Sequence, residues 1–563
     1  MQLNGSEMVM HALKNEGVKV VFGYPGGAAL NLYDEIYKQN FFEHILVRHE
    51  QAAVHAADGY ARASGEVGVA IVTSGPGFTN TITGIATAYM DSIPLVIISG
   101  QVPTSLIGTD AFQEIDAVGI SRPCTKHNYL VKSIEELPRI LKEAFYIARS
   151  GRPGPVHIDI PKDISAIVGE FNYPSEIKLQ TYKPTYKGNV RQIKKAAQVI
   201  KESKKPLFYL GGGTIASGSA KIIKELCEFT QIPAVETLMA RGILPHNHPN
   251  LLGMIGMHGS YVANMAMSEA DLLIALGTRF DDRVTGKLSE FAKYAQIIHI
   301  DIDPSSISKI VNATYPIVGD IRSVLEELLP LLREEYDSKS TLVWREQLER
   351  YNKLHPLSYE DSTTPLKPQW VLEKLGEMLR DSTLISTDVG QHQMWVAQFY
   401  PFKHPRQFIT SGGLGTMGFG LPAAMGAKKA YPNKISINIS GDGSILMNIQ
   451  ELMTCAVYGI AVINIVLNNN YLGMVRQWQT FFYGDRYSET DLEQQPDFVK
   501  LVESFGGYGR VCYTKEDFIN AMQEAIASNK PALLDVRIDR MENVLPMVPT
   551  GGALFNMILE HKE

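Results

Sequence analysis

The sequence predicts an α/β protein of three doubly wound parallel-sheet domains, and three observations carry that reading. Short apolar runs alternate with helical stretches along most of the 563 residues, as in parallel sheets covered on both faces. Most of those runs end in Gly, Ser or Pro. Two polar stretches, 171–189 and 334–368, interrupt the alternation and leave three α/β segments. A chain of this length exceeds a single core and fits about three domains of ordinary size.

In chain order, the first segment has expected strands at 18–22, 45–47, 67–73, 94–99 and 156–160. Residues 171–189 are rich in Tyr, Lys, Pro and Thr and read as a linker. The second segment, about 190–332, has expected strands at 207–210, 272–276 and 297–300. Residues 334–368 read as a charged helix plus linker. In the third segment an apolar run at 435–440 stops at Gly441-Asp442-Gly443; a helical stretch, roughly 448–458, leads to a second run, 461–467, that ends at Asn468-Asn469. That is one βαβ unit, whose crossover makes its strands parallel. The expected domains are 1–170, 190–335 and 365–563. The first and third share a plan of strand, glycine turn, helix and strand.

Both polar termini of the βαβ unit therefore emerge at one carboxyl edge, where open α/β sheets bind ligands. Asp442 offers a carboxylate and Asn469 a carbonyl oxygen. Hard oxygens of this kind suit Mg²⁺, which is usually shared with substrate phosphates. The flanking glycines let backbone approach a diphosphate closely. Taken singly, a Gly-Asp-Gly turn is only a turn and an Asn pair a helix cap. Their order and spacing resemble the diphosphate and metal motif of thiamine diphosphate (ThDP) enzymes.

Composition narrows the classes. The apolar fraction of 45% and charged fraction of 20% are those of a soluble globular protein. A net charge of −7 gives no basic footprint for nucleic acid. Cys124, Cys227, Cys455 and Cys512 are far apart, which fits a reducing compartment and neither a disulfide framework nor a zinc site. Residues 1–10 hold no Lys or Arg and no apolar core of a signal peptide. No apolar stretch reaches the ~18 residues needed to span a bilayer. The expected place is the cytoplasm, or a plastid or mitochondrion if a targeting segment has been removed.

Glu50 sits where the run 45–47 gives way to a small-residue helix, 52–63. By itself it is a carboxylate favoured by a helix N-terminus. ThDP chemistry needs an acid in such a place. Thiazolium C2 must lose a proton, and a glutamate bonded to the pyrimidine ring shifts that ring to the imino form that takes it.

Long strings resemble the catalytic subunit of the acetohydroxyacid synthase (acetolactate synthase) family over nearly the whole chain. They are Phe22-Gly23-Tyr24-Pro25-Gly26-Gly27, Arg48-His49-Glu50-Gln51-Ala52-Ala53, Thr73-Ser74-Gly75-Pro76-Gly77 and Gly108-Thr109-Asp110-Ala111-Phe112-Gln113-Glu114. Further along come Arg279-Phe280-Asp281-Asp282-Arg283-Val284-Thr285-Gly286, Gly390-Gln391-His392-Gln393-Met394-Trp395, Ser411-Gly412-Gly413-Leu414-Gly415-Thr416-Met417 and Gly473-Met474-Val475-Arg476-Gln477-Trp478. The family joins two 2-oxoacids, with loss of CO₂, on the path to branched-chain amino acids.

The resemblance implies roles. Glu50 is the activating acid, Gln113 and Phe112 cover the reacting carbon, and Lys162 lies near the channel mouth. Asp442 and Asn469 hold Mg²⁺ together with the Tyr471 carbonyl. Gln391, His392 and Ser444 contact the diphosphate, Gly415 and Met417 the aminopyrimidine, and Tyr24, Pro25, Gly26, Gly443 and Gly473 also border ThDP. Gly27 adjoins the reacting centre, Arg283 anchors a substrate carboxylate, and Trp478, with Met474 and Val475, meets the substrate's alkyl end.

Leu210-Gly211-Gly212-Gly213 follows a strand and precedes a helix. It is not the dinucleotide fingerprint, since no acidic residue is expected to end a strand ~20 residues on. The family nevertheless binds FAD here, with Arg152, Gly211, Gly213, Met257, His258, Arg279, Asp281, Asp301 and Asp320 at matching positions. Met239-Ala240-Arg241-Gly242 departs from the family's more usual Gly-Leu-Gly run. The resemblance further implies 2-oxoacid substrates, a homodimer or homotetramer with sites at the subunit interface, and a separate small regulatory subunit. A catabolic acetolactate synthase, a pyruvate oxidase and a catalytically silent paralogue are the competing readings.

Overall fold

The computed structural model describes residues 1–379, 381 and 383–560; the last three positions of the third expected domain lie outside them. The chain forms two compact units. One comprises Met1–Tyr182, Ser382–His392 and Ile409–Arg540, the other Lys183–Asp381, Gln393–Phe408 and Met541–Glu563.

The first unit holds two six-stranded sheets. The N-terminal one runs Glu43–Leu46, Val20–Tyr24, Gly68–Val72, Leu95–Gln101, Pro155–Pro161, His127–Leu130, with every neighbour parallel. The C-terminal one runs Phe408–Ile409, Thr383–Thr387, Ile435–Gly441, Val462–Asn468, Ala532–Arg537, Tyr508–Cys512, and from Thr383–Thr387 to Tyr508–Cys512 the pairings are parallel. Numbered along the chain, both orders are 2-1-3-4-6-5. The winding reverses between the first and third strands of each, and such a switch point leaves a crevice beyond the strand ends. In the N-terminal sheet the switch lies between Tyr24 and Val72; in the C-terminal sheet it lies between Thr387 and Gly441. The central strands Gly68–Val72, Leu95–Gln101 and Val462–Asn468 are buried at every position. That two-faced burial is why their sequences read as unbroken apolar runs.

The expected helix 52–63 is Glu50–Ser64, whose first turn begins at the expected strand's end. It crosses Gly420–Ala430 at backbone distance. A Cβ on Gly426 would overlap the Ala56 carbonyl, and one on Gly59 would overlap Ala423. Small residues on both helices are what permit this approach, and the alanine-rich stretch is explained by it.

The second unit is built on one sheet, ordered Leu251–Met254, Ala234–Glu236, Pro206–Leu210, Leu272–Leu276, Gln296–Asp301, Tyr315–Val318 and parallel throughout. In chain numbering this is 3-2-1-4-5-6, the order of dinucleotide-binding sheets, with its switch between Leu210 and Leu276. Residues 171–189 contain neither helix nor strand. Leu342–Leu354 is the charged helix; it anchors itself by burying Trp344 and Leu348, with Trp344 Nε1 donating to the Pro206 carbonyl at 3.2 Å. Val548 and Leu554 pack into the same core.

Candidate active site

At the C-terminal switch point, Gly441 pairs with Leu467 on the next strand. This register brings Asp442 and Asn469 to adjoining strand ends. Asp442 is buried, and burial pushes its carboxyl up to about 7. Its Oδ2 accepts from Gln495 Nε2, and Gln495 Oε1 in turn accepts from Asn468 Nδ2 at 2.8 Å. Asn469 Nδ2 donates to Gln391 Oε1 at 3.2 Å, and its Oδ1 accepts from the Tyr471 amide at 3.1 Å. A Cβ on Gly473 would run into Gln391, so the start of helix Gly473–Phe482 is pressed onto that side chain. Ser444 Oγ accepts from the Gly441 amide at 3.1 Å. His392 is buried with Nε2 unpartnered, and its ring lies 3.1 Å from where a Gly441 Cβ would be. A Cβ on Gly443 would lie 2.7 Å from Leu472.

This edge fits a metal-bound diphosphate. It offers a buried carboxylate braced by Gln495, an amide oxygen and an orphaned imidazole nitrogen. Among the described residues no three His, Cys, Asp or Glu are grouped so as to hold a metal. A cation here would draw its remaining ligands from phosphate and water, as Mg²⁺ does.

At the N-terminal switch point, Glu50 opens its helix with Oε2 accepting from Asn80 Nδ2 at 2.9 Å. Its Oε1 lies 3.5 Å from a Cβ built on Gly77. The turn before it is braced from helix Glu451–Val457 of the C-terminal half. The buried Glu451 accepts from the Arg48 amide at 2.9 Å, and burial pushes its carboxyl up to about 7. Gln113 adopts a left-handed φ of 60°, and Gly75, itself at φ 59°, stands against it, where a Cβ would come 2.8 Å from the Gln113 carbonyl. A non-glycine residue held in that region marks backbone constrained by its surroundings. Two residues further on, the Ile115 carbonyl accepts from Gln101 Nε2 at 2.9 Å, which also donates to Asp159 Oδ2 at 2.9 Å. Phe112 projects outward, 89% exposed. Glu50, Asn80, Gly75, Gly77 and Gln113 thus form one cluster. Tyr24 is exposed at its strand end, and Gly26 packs on Thr73. Gly27 faces open space, and Lys162 begins the short helix Lys162–Ala166.

Gly415 is exposed at φ 70°, and Met417 is part-buried. Their loop is tied to the switch point by the Gly418 amide, which donates to the buried Asp388 Oδ1 at 2.7 Å. Met474, Val475 and Trp478 lie on helix Gly473–Phe482, Val475 exposed and Trp478 part-buried against Phe482. Trp344 and Trp395 are instead fully enclosed.

In the second unit, polar groups follow strand ends along the carboxyl edge of the sheet. Thr237, Thr278 and His258 are buried with Oγ1, Oγ1 and Nδ1 unpartnered, which suits a polar ligand such as a dinucleotide. Gly211 and Gly213 both pack on Gly277, where side chains would collide. Met257 donates its amide to the Arg283 carbonyl at 2.7 Å, and burial pushes His258 down to about 4. Asp281 and Asp320 cap the helices Asp282–Thr285 and Ile321–Arg333, and Asp301 ends its strand, accepting from the Asp303 amide at 2.8 Å. Burial raises the Asp281 carboxyl above its ordinary value, and the neighbouring Arg279 offsets only part of that. Arg283 is exposed. Arg152, in the first unit, donates to Ser92 Oγ at 2.8 Å.

One expectation is overturned here. Glu236 does end a strand shortly after the glycines, but it is fully buried, paired with Arg241 Nη1 at 2.6 Å and accepting from the Leu244 amide at 3.0 Å. The acid is engaged by the very loop, Met239 to Gly242, that departs from the family. The strand Ala234–Glu236 has three residues, too few for periodicity to reveal it.

Sequence reading missed Asn80, Asp388, Glu451 and Gln495. Asn80 continues the Thr73 to Gly77 string and was within reach; Gln495 is distant in sequence from Asp442, and nothing local marks it.

Family models place the chain in the class of thiamine pyrophosphate (ThDP) enzymes, with one model for each of the three sheets. The N-terminal TPP binding domain matches residues 3–120, the central domain 193–328 and the C-terminal TPP binding domain 388–536. The acetolactate synthase isozyme 3 large subunit of Escherichia coli K12 is 50% identical over 100% of this chain and 99% of its own length. The probable acetolactate synthase large subunit of Methanocaldococcus jannaschii is 51% identical, covering 99% and 95%. The acetolactate synthase large subunit of Haemophilus influenzae is 49% identical, covering 99% and 98%. The chain belongs to the acetolactate synthase large-subunit family of thiamine pyrophosphate enzymes. Among the described residues, no helix is long and apolar enough to cross a membrane.

Proposed function

We propose that this protein is the catalytic subunit that decarboxylates pyruvate and joins the two-carbon unit to a second pyruvate or to 2-oxobutyrate, giving 2-acetolactate or 2-aceto-2-hydroxybutyrate for branched-chain amino-acid synthesis. The observation that carries the reading is the pair of matching 2-1-3-4-6-5 sheets, one ending in Glu50's cluster and the other in the Asp442–Asn469 edge. Large-subunit relatives along the full length favour it over a catabolic acetolactate synthase or a pyruvate oxidase. Bound ThDP supplies a carbon nucleophile and an electron sink for decarboxylation.

The chain's own residues do the rest. Asp442, Asn469 and the Tyr471 carbonyl hold Mg²⁺, with Gln391, His392 and Ser444 on the diphosphate. Gly415 and Met417 seat the aminopyrimidine. Glu50, oriented by Asn80, bonds the pyrimidine ring and governs its proton. Gln113, left-handed and close against Gly75, faces the reacting carbon with Phe112. The domain roles follow: residues 1–170 serve the pyrimidine, 365–563 the diphosphate, and 190–335 FAD. The ligation has no net redox step, so FAD is structural or vestigial here. It is held by the residues that the resemblance assigns, and the unpartnered Thr237, Thr278 and His258 support a polar ligand at that sheet edge. Work in the cytoplasm, a site shared between two copies in a dimer or tetramer, and a small regulatory subunit complete the reading; the last is supported by the relatives' designation as large subunits.

Product analysis with pyruvate, alone and mixed with 2-oxobutyrate, tests the activity; oxygen uptake without ligated product would point to an oxidase. Substrate choice tests single residues. The two acceptors differ by one methylene, which a pocket resolves by ~1–3 kcal/mol. Trp478→Leu is expected to retain acetolactate synthesis and lower the preference for 2-oxobutyrate about tenfold. Arg283→Lys is expected to impair both products, because a point charge replaces a guanidinium fork. An unchanged product ratio in folded Trp478→Leu removes that residue from the pocket.

A further inference from the structure

The loop that carries Gly415 and Met417 is poor in side chains able to order it. Its sequence, Ser411-Gly412-Gly413-Leu414-Gly415-Thr416-Met417-Gly418, contains four glycines, and Leu414 is exposed. Glycine-rich backbone loses more conformational entropy on ordering than any other. Asp388 and Asn448 hold its Gly418 end, and the 410–413 stretch is gripped from the N-terminal half of the chain. Arg62 and Asp58, on helix Glu50–Ser64, form a buried ion pair through Arg62 Nε, and Arg62 Nη2 reaches Asp91 Oδ2 at 2.9 Å. From that cluster Arg62 Nη1 donates to the Thr410 carbonyl at 2.8 Å. Asp91 accepts from the Gly412 amide at 3.0 Å and the Gly413 amide at 2.7 Å. At the far end of the loop, Thr87 Oγ1 meets Thr416 Oγ1 at 2.7 Å, and the Thr416 amide donates to Ser411 Oγ at 3.0 Å.

A buried ion pair is weak evidence for stability, because desolvation offsets much of its attraction. What this cluster does beyond pairing is grip main-chain groups of one loop. We propose that Arg62 and Asp91 are positioning residues for the cofactor: their buried cluster, with Thr87, presets the backbone of 410–416 so that Gly415 and Met417 receive the aminopyrimidine without first being ordered. This rests on the reading that seats the aminopyrimidine at those two residues. A preset loop raises affinity by removing an ordering cost from binding.

The test compares two ligands on the full-length protein by calorimetric or fluorescence titration: ThDP with Mg²⁺, and inorganic pyrophosphate with Mg²⁺, which reports on the Asp442–Asn469 edge alone. Asp91→Asn keeps the shape, removes the charge and leaves at least one loop amide without its acceptor. It is expected to weaken ThDP about tenfold, the effect of an unsatisfied buried group, and to leave pyrophosphate binding unchanged. Unchanged affinity for both ligands overturns the proposal. Equal weakening of both also overturns it, since that is the mark of a merely structural cluster. Thr87→Val, which deletes one hydroxyl and no charge, is expected to show the same selective loss to a smaller degree, and Thr87→Ser to restore it. Met417→Ala separates the two levels of the argument. If it leaves ThDP affinity unchanged, the cofactor reading of the loop fails; if it weakens ThDP while Asp91→Asn does not, only the positioning role fails.

Discussion

Glu50→Gln is expected to lower turnover about a hundredfold or more, at the lower end of what a positioned acid or base contributes, while the protein stays folded. The substitution is isosteric, and its amide oxygen can still accept from Asn80, which holds the native carboxylate at 2.9 Å. What it removes is the charge that stabilises the imino form of the pyrimidine ring. Glu50 is part-buried at a helix start, so no core contact is lost. The checks are steady-state acetolactate formation at saturating ThDP and a thermal melt. Near-normal turnover in a folded variant would sink the assignment of this residue.

Asp442→Ala is expected to abolish ThDP binding at ordinary Mg²⁺ concentrations. Residues that merely orient metal ligands cost about 10–100-fold in affinity when lost, and the only carboxylate at this edge among the proposed ligands costs more. The variant also frees Gln495, which bridges Asp442 to Asn468. Titration of ThDP at rising Mg²⁺ is the measurement, and wild-type affinity contradicts the metal role. The two variants together test the shared site. If Glu50 of one copy serves the Asp442 edge of another, a mixed dimer of Glu50→Gln and Asp442→Ala subunits regains one intact site. No recovery in verified mixed dimers would place both residues of a site in one chain.

The two halves of the candidate site differ in how openly the sequence shows them. Gly441, Asp442 and Asn469 were legible because apolar strands stop abruptly at polar residues, and a single βαβ crossover then dictates that both ends share an edge. Glu50 was legible at its strand-to-helix junction. Trp478's part-exposure could not be read from the sequence, since a tryptophan on an amphipathic helix reads the same whether enclosed or at a surface.

By itself, then, the sequence determined the α/β class, the parallel strands, the polar residues Asp442 and Asn469 at adjoining strand ends and, through long family strings, the chemistry to expect. Those features are local: they rest on periodicity, turn residues and short crossovers. Tertiary structure alone decided the strand orders, the burial of Glu236 against Arg241, the bracing of Asp442 by Gln495 and the grip of Asp91 on Gly412 and Gly413. Except for the Glu236 pairing, each joins residues far apart in the chain. Even that nearby pair depends on a loop folding back over a strand too short to leave a pattern. Burial and hydrogen bonding between distant segments leave no periodicity along the chain, so only the folded arrangement of the sheets reveals them.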